Sequence, residues 1–128
     1  MKRLFLGLGL VVLAAVTAAC SGSGSSGSQQ PPASVDPNAP VIVAQGNAFS
    51  PSTLDVTADQ AFSLTLDNKD SAPHNVAIFT DSSASQSISV GEIVSSTTAT
   101  QQVPALDAGS YFFRCDVHHE MTGTINAK

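Results

Sequence analysis

Tyr111-Phe112-Phe113-Arg114-Cys115-Asp116-Val117-His118-His119-Glu120-Met121-Thr122-Gly123 joins two patterns in one short segment. Up to Cys115 the period is two. Tyr111, Phe113 and Cys115 fall on one face and Phe112 and Arg114 on the other, the signature of a half-buried β-strand. Past Cys115 the alternation stops, and side chains that bind metals crowd together: His118, His119 and Met121. A strand that runs straight into a tight loop carrying a thiol, imidazoles and a thioether sets two expectations. The domain is built of strands, and one end of it holds a soft metal site.

The same period extends through the rest of the chain from Val41 onward. Phe62, Leu64 and Leu66 alternate with Ser63, Thr65 and Asp67; Val76 and Ile78 share a face in His74-Asn75-Val76-Ala77-Ile78-Phe79; Thr98–Val103 is β-branched and rich in Gln. Asp67-Asn68-Lys69-Asp70 and Asp107-Ala108-Gly109 read as turns between strands. Asp81–Ser89, rich in Ser and poor in large apolar residues, reads as a loop or a poorly ordered edge strand. No stretch after Pro40 has helical amphipathicity. The expected fold is all-β, a Greek-key sandwich or barrel of about seven to eight strands over residues 41–128. So small a core has no disulfide framework to support it, because the chain has only Cys20 and Cys115. A metal staple would compensate.

All three histidines, Cys115 and the second methionine fall in two places: Pro73-His74-Asn75-Val76 and the segment quoted above. One thiolate, two imidazoles and a thioether make a soft set suited to copper in both oxidation states, and trigonal His, His, Cys ligation with a weak axial Met characterises electron-transfer copper sites. Taken singly, each residue has a duller reading. Cys115 would be an inert buried hydrophobe, Met121 core filler, His118 a surface residue and His74 a partner for backbone. Their joint spacing favours the metal.

With these motifs the sequence resembles the cupredoxins, the blue-copper family of plastocyanin and amicyanin. Asn47-Ala48-Phe49-Ser50-Pro51 with Leu54 resembles the family's early strands, so the likeness runs from about Val41 to Lys128. The resemblance implies one type 1 copper per chain, with His74, Cys115, His118 and Met121 as its ligands. The Cys-x2-His-x2-Met spacing is similar to the short ligand loop of amicyanin. It also implies that Asn75, following the first histidine, ties the two ligand segments together through hydrogen bonds. His119 occupies a position that is often Pro in the family and is expected to face solvent.

Three functions compete: a one-electron carrier, a protein for copper storage, delivery or homeostasis, and a binding module whose metal only stabilises the fold. A buried thiolate in closed four-ligand coordination favours the carrier, because delivery needs ligands that exchange easily. Enzymatic roles lack their residues. No His-x-His pair supports a multicopper cluster, no second cysteine lies near Cys115 for a binuclear centre, and Met121 disfavours a hydrolytic zinc site.

The N-terminus has its own logic. Met1-Lys2-Arg3 followed by the apolar run Leu4–Val16 and Thr17-Ala18-Ala19 matches a secretory signal peptide over residues 1–19. The small residues before Cys20 resemble a bacterial lipobox, with Thr17 where Leu is usual. This implies an exported protein, lipidated at Cys20 and anchored to the cell membrane, facing the periplasm or the cell exterior. Residues 20–40 then form a Ser/Gly/Pro tether, which reaches about 25 Å root-mean-square and about 70 Å when stretched.

Much of the chain's 42% hydrophobic content lies in that leader. The formal charge of -5 becomes -7 once Lys2 and Arg3 are removed, with three basic residues left against ten acidic ones. So acidic a chain is not expected to bind nucleic acid. A basic redox partner, such as a c-type cytochrome or a membrane oxidoreductase, is the expected complement, met by a monomer.

Overall fold

A computed structural model describes residues 39–128. The expectations for the signal peptide, for Cys20 and for the tether up to residue 38 lie outside the described residues.

Among the described residues the fold is all-β, with nine strands: β1 (Val41–Gln45), β2 (Ala48–Ser50), β3 (Thr53–Val56), β4 (Phe62–Asn68), β5 (Ala77–Phe79), β6 (Ser87–Val90), β7 (Thr98–Val103), β8 (Gly109–Arg114) and β9 (Thr122–Ala127). Seven to eight were expected. The count rises because β2 and β6 are short edge strands, too short for alternation to show in sequence. β6 resolves the ambiguous stretch 81–89, whose last residues form the edge strand.

The strands form two sheets, ordered β2-β1-β4-β7 and β3-β9-β8-β5-β6. The chain changes sheet at β2–β3, β3–β4, β4–β5, β6–β7 and β7–β8, the crossovers of a Greek-key sandwich. β1 runs parallel to β4 and β3 parallel to β9, while the other pairs are antiparallel.

The core lies between the sheets, where the alternating residues meet. Leu64 and Leu66 from one sheet and Ile78, Phe113 and Ile125 from the other are buried, together with Val76, Cys115 and Met121 outside the strands. Phe113 is fully buried and packs on Phe49 of the opposite sheet, ring centroids 5.6 Å apart. Burying one such aromatic contributes about 2–3 kcal/mol. Ser63 breaks the simple alternation: it is buried although it shares the outer face with Thr65. Its cross-strand neighbour Gln102 covers it and donates from Nε2 to Ser63 Oγ at 2.8 Å. The outer face of the larger sheet carries a second small cluster, in which the Arg114 guanidinium lies 5.0 Å from the centre of the Phe79 ring and Phe112 packs alongside.

β8 and β9 are antiparallel neighbours with Phe113 opposite Gly123. A Cβ at Gly123 would overlap Phe113 Cζ and lie 2.5 Å from the Ser52 carbonyl oxygen. The ring fills the space a side chain would need. Gly123→Ala is therefore expected to destabilise the domain by about 1–3 kcal/mol, the usual cost of overpacking. The denaturation midpoint checks this, and an unchanged midpoint would refute the tight β8–β9 contact.

Candidate metal centre

The loop between β8 and β9 is closed by its own backbone. Cys115 N donates to Met121 O at 3.0 Å, and Met121 N donates to His118 O at 3.0 Å, which folds His118–Met121 into a β-turn. This keeps Cys115, His118 and Met121 at one end of the sandwich. His74 approaches from the segment before β5, outside any named strand, where it forms an isolated bridge: His74 N to Val94 O and Val94 N to His74 O, both 3.0 Å. β5 lies beside β8, with Ala77 opposite Arg114, so the two segments meet at the same edge.

The donor atoms of His74, Cys115 and His118 lie within 4.8 Å of one another. His74 Nδ1 is 3.8 Å from Cys115 Sγ, and the two imidazole rings are 4.8 Å apart, tilted by 58°. His74 and Cys115 are both fully buried, and Met121 is 1% exposed in the same cluster. His118 is half-buried; His119 and Glu120 face solvent. His118 Nδ1 is buried and has no hydrogen-bond partner. An orphaned polar atom costs about 1–3 kcal/mol unless something satisfies it, and a metal ion would do so. With a thiol, two imidazoles and a thioether gathered here, the arrangement fits a type 1 copper site, and carboxylates are not part of the set.

Asn75 joins the two halves. Its Oδ1 accepts from Asp116 N at 2.8 Å, and its Nδ2 donates to Asp116 Oδ2 at 3.0 Å and to Gly91 O at 3.2 Å. Asp116 is thereby tied to the first segment, with its side chain still 36% exposed, and it also lies 4.0 Å from Arg114. Glu120 remains the free acid of the loop.

Two residues that sequence reasoning read only as a turn belong to the same end. Asn68 is buried, and its Nδ2 donates to Ala72 O (2.9 Å) and Val94 O (2.7 Å) while its Oδ1 accepts from Asp70 N (2.9 Å). Asp70 accepts from Gly46 N at 2.9 Å and Asn47 N at 3.2 Å, and its Oδ2 lies 3.2 Å from His74 Nε2. The Gly46 and Asn47 N–H groups, with a smaller contribution from His74, hold the Asp70 carboxyl below the usual carboxylate range. A carboxylate four residues before a candidate ligand histidine is the available sequence signal, hidden by its turn-like neighbours.

A two-sheet sandwich with a soft Cys-His-His-Met centre at one end defines a class of small β-sandwich metalloproteins. The chain belongs to the cupredoxin-like family, since the model of the cupredoxin-like domain matches residues 10–127. Among solved structures it is similar to auracyanin A, a "blue" copper protein from the green thermophilic photosynthetic bacterium Chloroflexus aurantiacus. Identity is 19%, covering 69% of this chain and 96% of that one, with a TM-score of 0.63. The auracyanin of the photosynthetic bacterium Roseiflexus castenholzii is 17% identical over 69% and 94% of the two chains, TM-score 0.60. Amicyanin from Paracoccus versutus is 21% identical over 73% and 85%, TM-score 0.57. At these identities the likeness establishes the fold. A search of curated protein sequences finds no match.

Asn75→Ala removes the amide that satisfies Asp116 N, leaving a part-buried donor unpaired. The expected loss is about 1–3 kcal/mol of stability, with weaker metal binding because the two donor segments separate. Denaturation and metal titration of the variant check both, and wild-type values in each would contradict the bracing role.

Proposed function

We propose that this protein is an exported one-electron carrier that holds one copper ion through His74, Cys115, His118 and Met121. The observation that carries the reading is the gathering of His74, Cys115 and His118 donor atoms within 4.8 Å, on two segments braced by Asn75. Copper would supply the redox change, Cu(II) to Cu(I). The protein's residues supply the rest. Cys115 and His74 are held in a dry interior, so little solvent rearranges on electron transfer, and the loop's two backbone hydrogen bonds limit movement of its donors. The half-buried His118 offers the route to the surface, beside the exposed Pro73 and Val117. Storage or delivery would require donors that open readily, and a fully buried thiol and imidazole argue against it.

The rest of the proposal follows from the sequence. A signal peptide over 1–19, lipidation at Cys20 and the tether of residues 20–40 would hold the carrier domain, 41–128, near the outer side of the membrane as a monomer. Its partner would be a basic redox protein, such as a c-type cytochrome or a membrane oxidoreductase. Glu120, exposed on the ligand loop, and the overall negative charge would steer that partner, while the apolar rim at Pro73 and Val117 would keep the contact small and short-lived.

Cys115→Ser replaces a soft thiolate with a hard hydroxyl. The copper-loaded wild type is expected to show an intense thiolate-to-copper charge-transfer band in the visible spectrum, and the variant none. A colourless wild type, or a fully coloured variant, would refute the site. Electron transfer to a basic cytochrome is expected to slow as salt shortens the screening length from about 30 Å at 0.01 M to about 10 Å at 0.1 M. A rate that is flat or rises in stopped-flow measurements would remove the steering role.

A further inference from the structure

His74 is fully buried, and its two ring nitrogens face different groups: Nδ1 lies 3.8 Å from Cys115 Sγ, inside the donor cluster, and Nε2 lies 3.2 Å from Asp70 Oδ2. Asp70 is in turn fixed from outside the site. Gly46 N and Asn47 N, in the turn between β1 and β2, donate to its two carboxylate oxygens, and Asn68 Oδ1 accepts its backbone N–H. From the opposite side, Ser96 donates to the Asp70 carbonyl through both its N–H (2.9 Å) and its Oγ (3.1 Å). Few side chains of the domain are tied so thoroughly, and the one contact these ties leave to the carboxylate is the buried imidazole.

We infer that Asp70 is a positioning residue for the copper centre: its carboxylate keeps the His74 proton on Nε2, turns the Nδ1 lone pair toward the donor cluster, and lowers the reduction potential of the site. The reasoning is chemical. An imidazole with an acceptor at Nε2 is protonated there and leaves Nδ1 free to ligate, which fixes both tautomer and ring orientation before metal arrives. An anionic acceptor also pushes electron density toward the ring, making Nδ1 a stronger donor. A stronger donor and a nearby negative charge both favour Cu(II) over Cu(I). The inference rests on His74 being a copper ligand.

Two measurements test it. In the metal-free wild-type protein, nitrogen-15 NMR of the neutral His74 imidazole is expected to show the Nε2–H tautomer. An Nδ1–H tautomer would overturn the inference whether or not copper binds. In the copper-loaded full-length protein, Asp70→Asn is expected to keep the charge-transfer band and to raise the reduction potential. At a fixed solution potential the Cu(I) to Cu(II) ratio should rise about tenfold, equivalent to about 59 mV for one electron. Asp67→Asn removes the same charge three residues away, from a side chain paired with Lys69 at 2.8 Å, and should shift the ratio far less. Equal shifts in the two variants, or no shift at Asp70, would overturn the inference, since a purely structural Asp70 would alter stability and leave the potential in place. A colourless wild type would instead refute the copper reading, and the tautomer would then decide Asp70 alone.

Discussion

Everything at the functional end of this molecule depends on holding two segments 41 residues apart, at Asn75 and Asp116, in fixed register. The Asn75 side chain does this with both of its polar ends, accepting from the Asp116 backbone and donating to its carboxylate. The bracket matters because neither segment is held there by strand pairing alone. β5 is only three residues long, and β8 stops at Arg114. Beyond those strands, amide hydrogen bonds and the self-closed loop carry the geometry, and the His74 Nδ1–Cys115 Sγ approach is their result.

The site is also where folding and metal binding become one problem. The domain has a small core, and Cys115 is the only free cysteine among the described residues. It places a thiol, two imidazoles and a thioether where aliphatic side chains would otherwise pack. A buried His118 Nδ1 without a partner is a cost that packing does not recover. A metal ion that satisfies these donors would return binding free energy as folding free energy, and the centre would then act as the staple that disulfides provide in other small domains.

The negative charge is organised rather than merely spread. Asp116 is drawn into the bracket with Asn75, Asp70 is bound by the β1–β2 turn, and Asp55 pairs with Lys128 at 2.6 Å and accepts from Asn126. Those N–H and ammonium donors hold both Asp70 and Asp55 below the usual carboxylate range. Of the two acids on the loop between β8 and β9, Glu120 is exposed, whereas Asp116 is engaged by Asn75 with its side chain still 36% exposed.

By itself the sequence determined the strand character of residues 62–66, 77–79, 98–103 and 111–114, because a period of two reports which side chains face the core, and that pattern is local. It also indicated the donor chemistry, since Cys115, His118 and Met121 are close enough in the chain for one loop to gather them; His74, expected to open a strand, instead lies three residues before β5 in an isolated bridge with Val94. Tertiary structure alone decided what Asn68 and Asp70 do. Read locally, Asp67-Asn68-Lys69-Asp70 is a turn, yet β4 extends through Asn68, and its amide is buried beneath residues 72 and 94. Asp70 meets the Gly46–Asn47 turn, 24 residues earlier at Gly46, because β1 pairs with β4. Short polar side chains carry no periodic signal. Their partners are chosen by whichever backbone groups the folded sheets leave unpaired beside them, and chain order does not encode that choice.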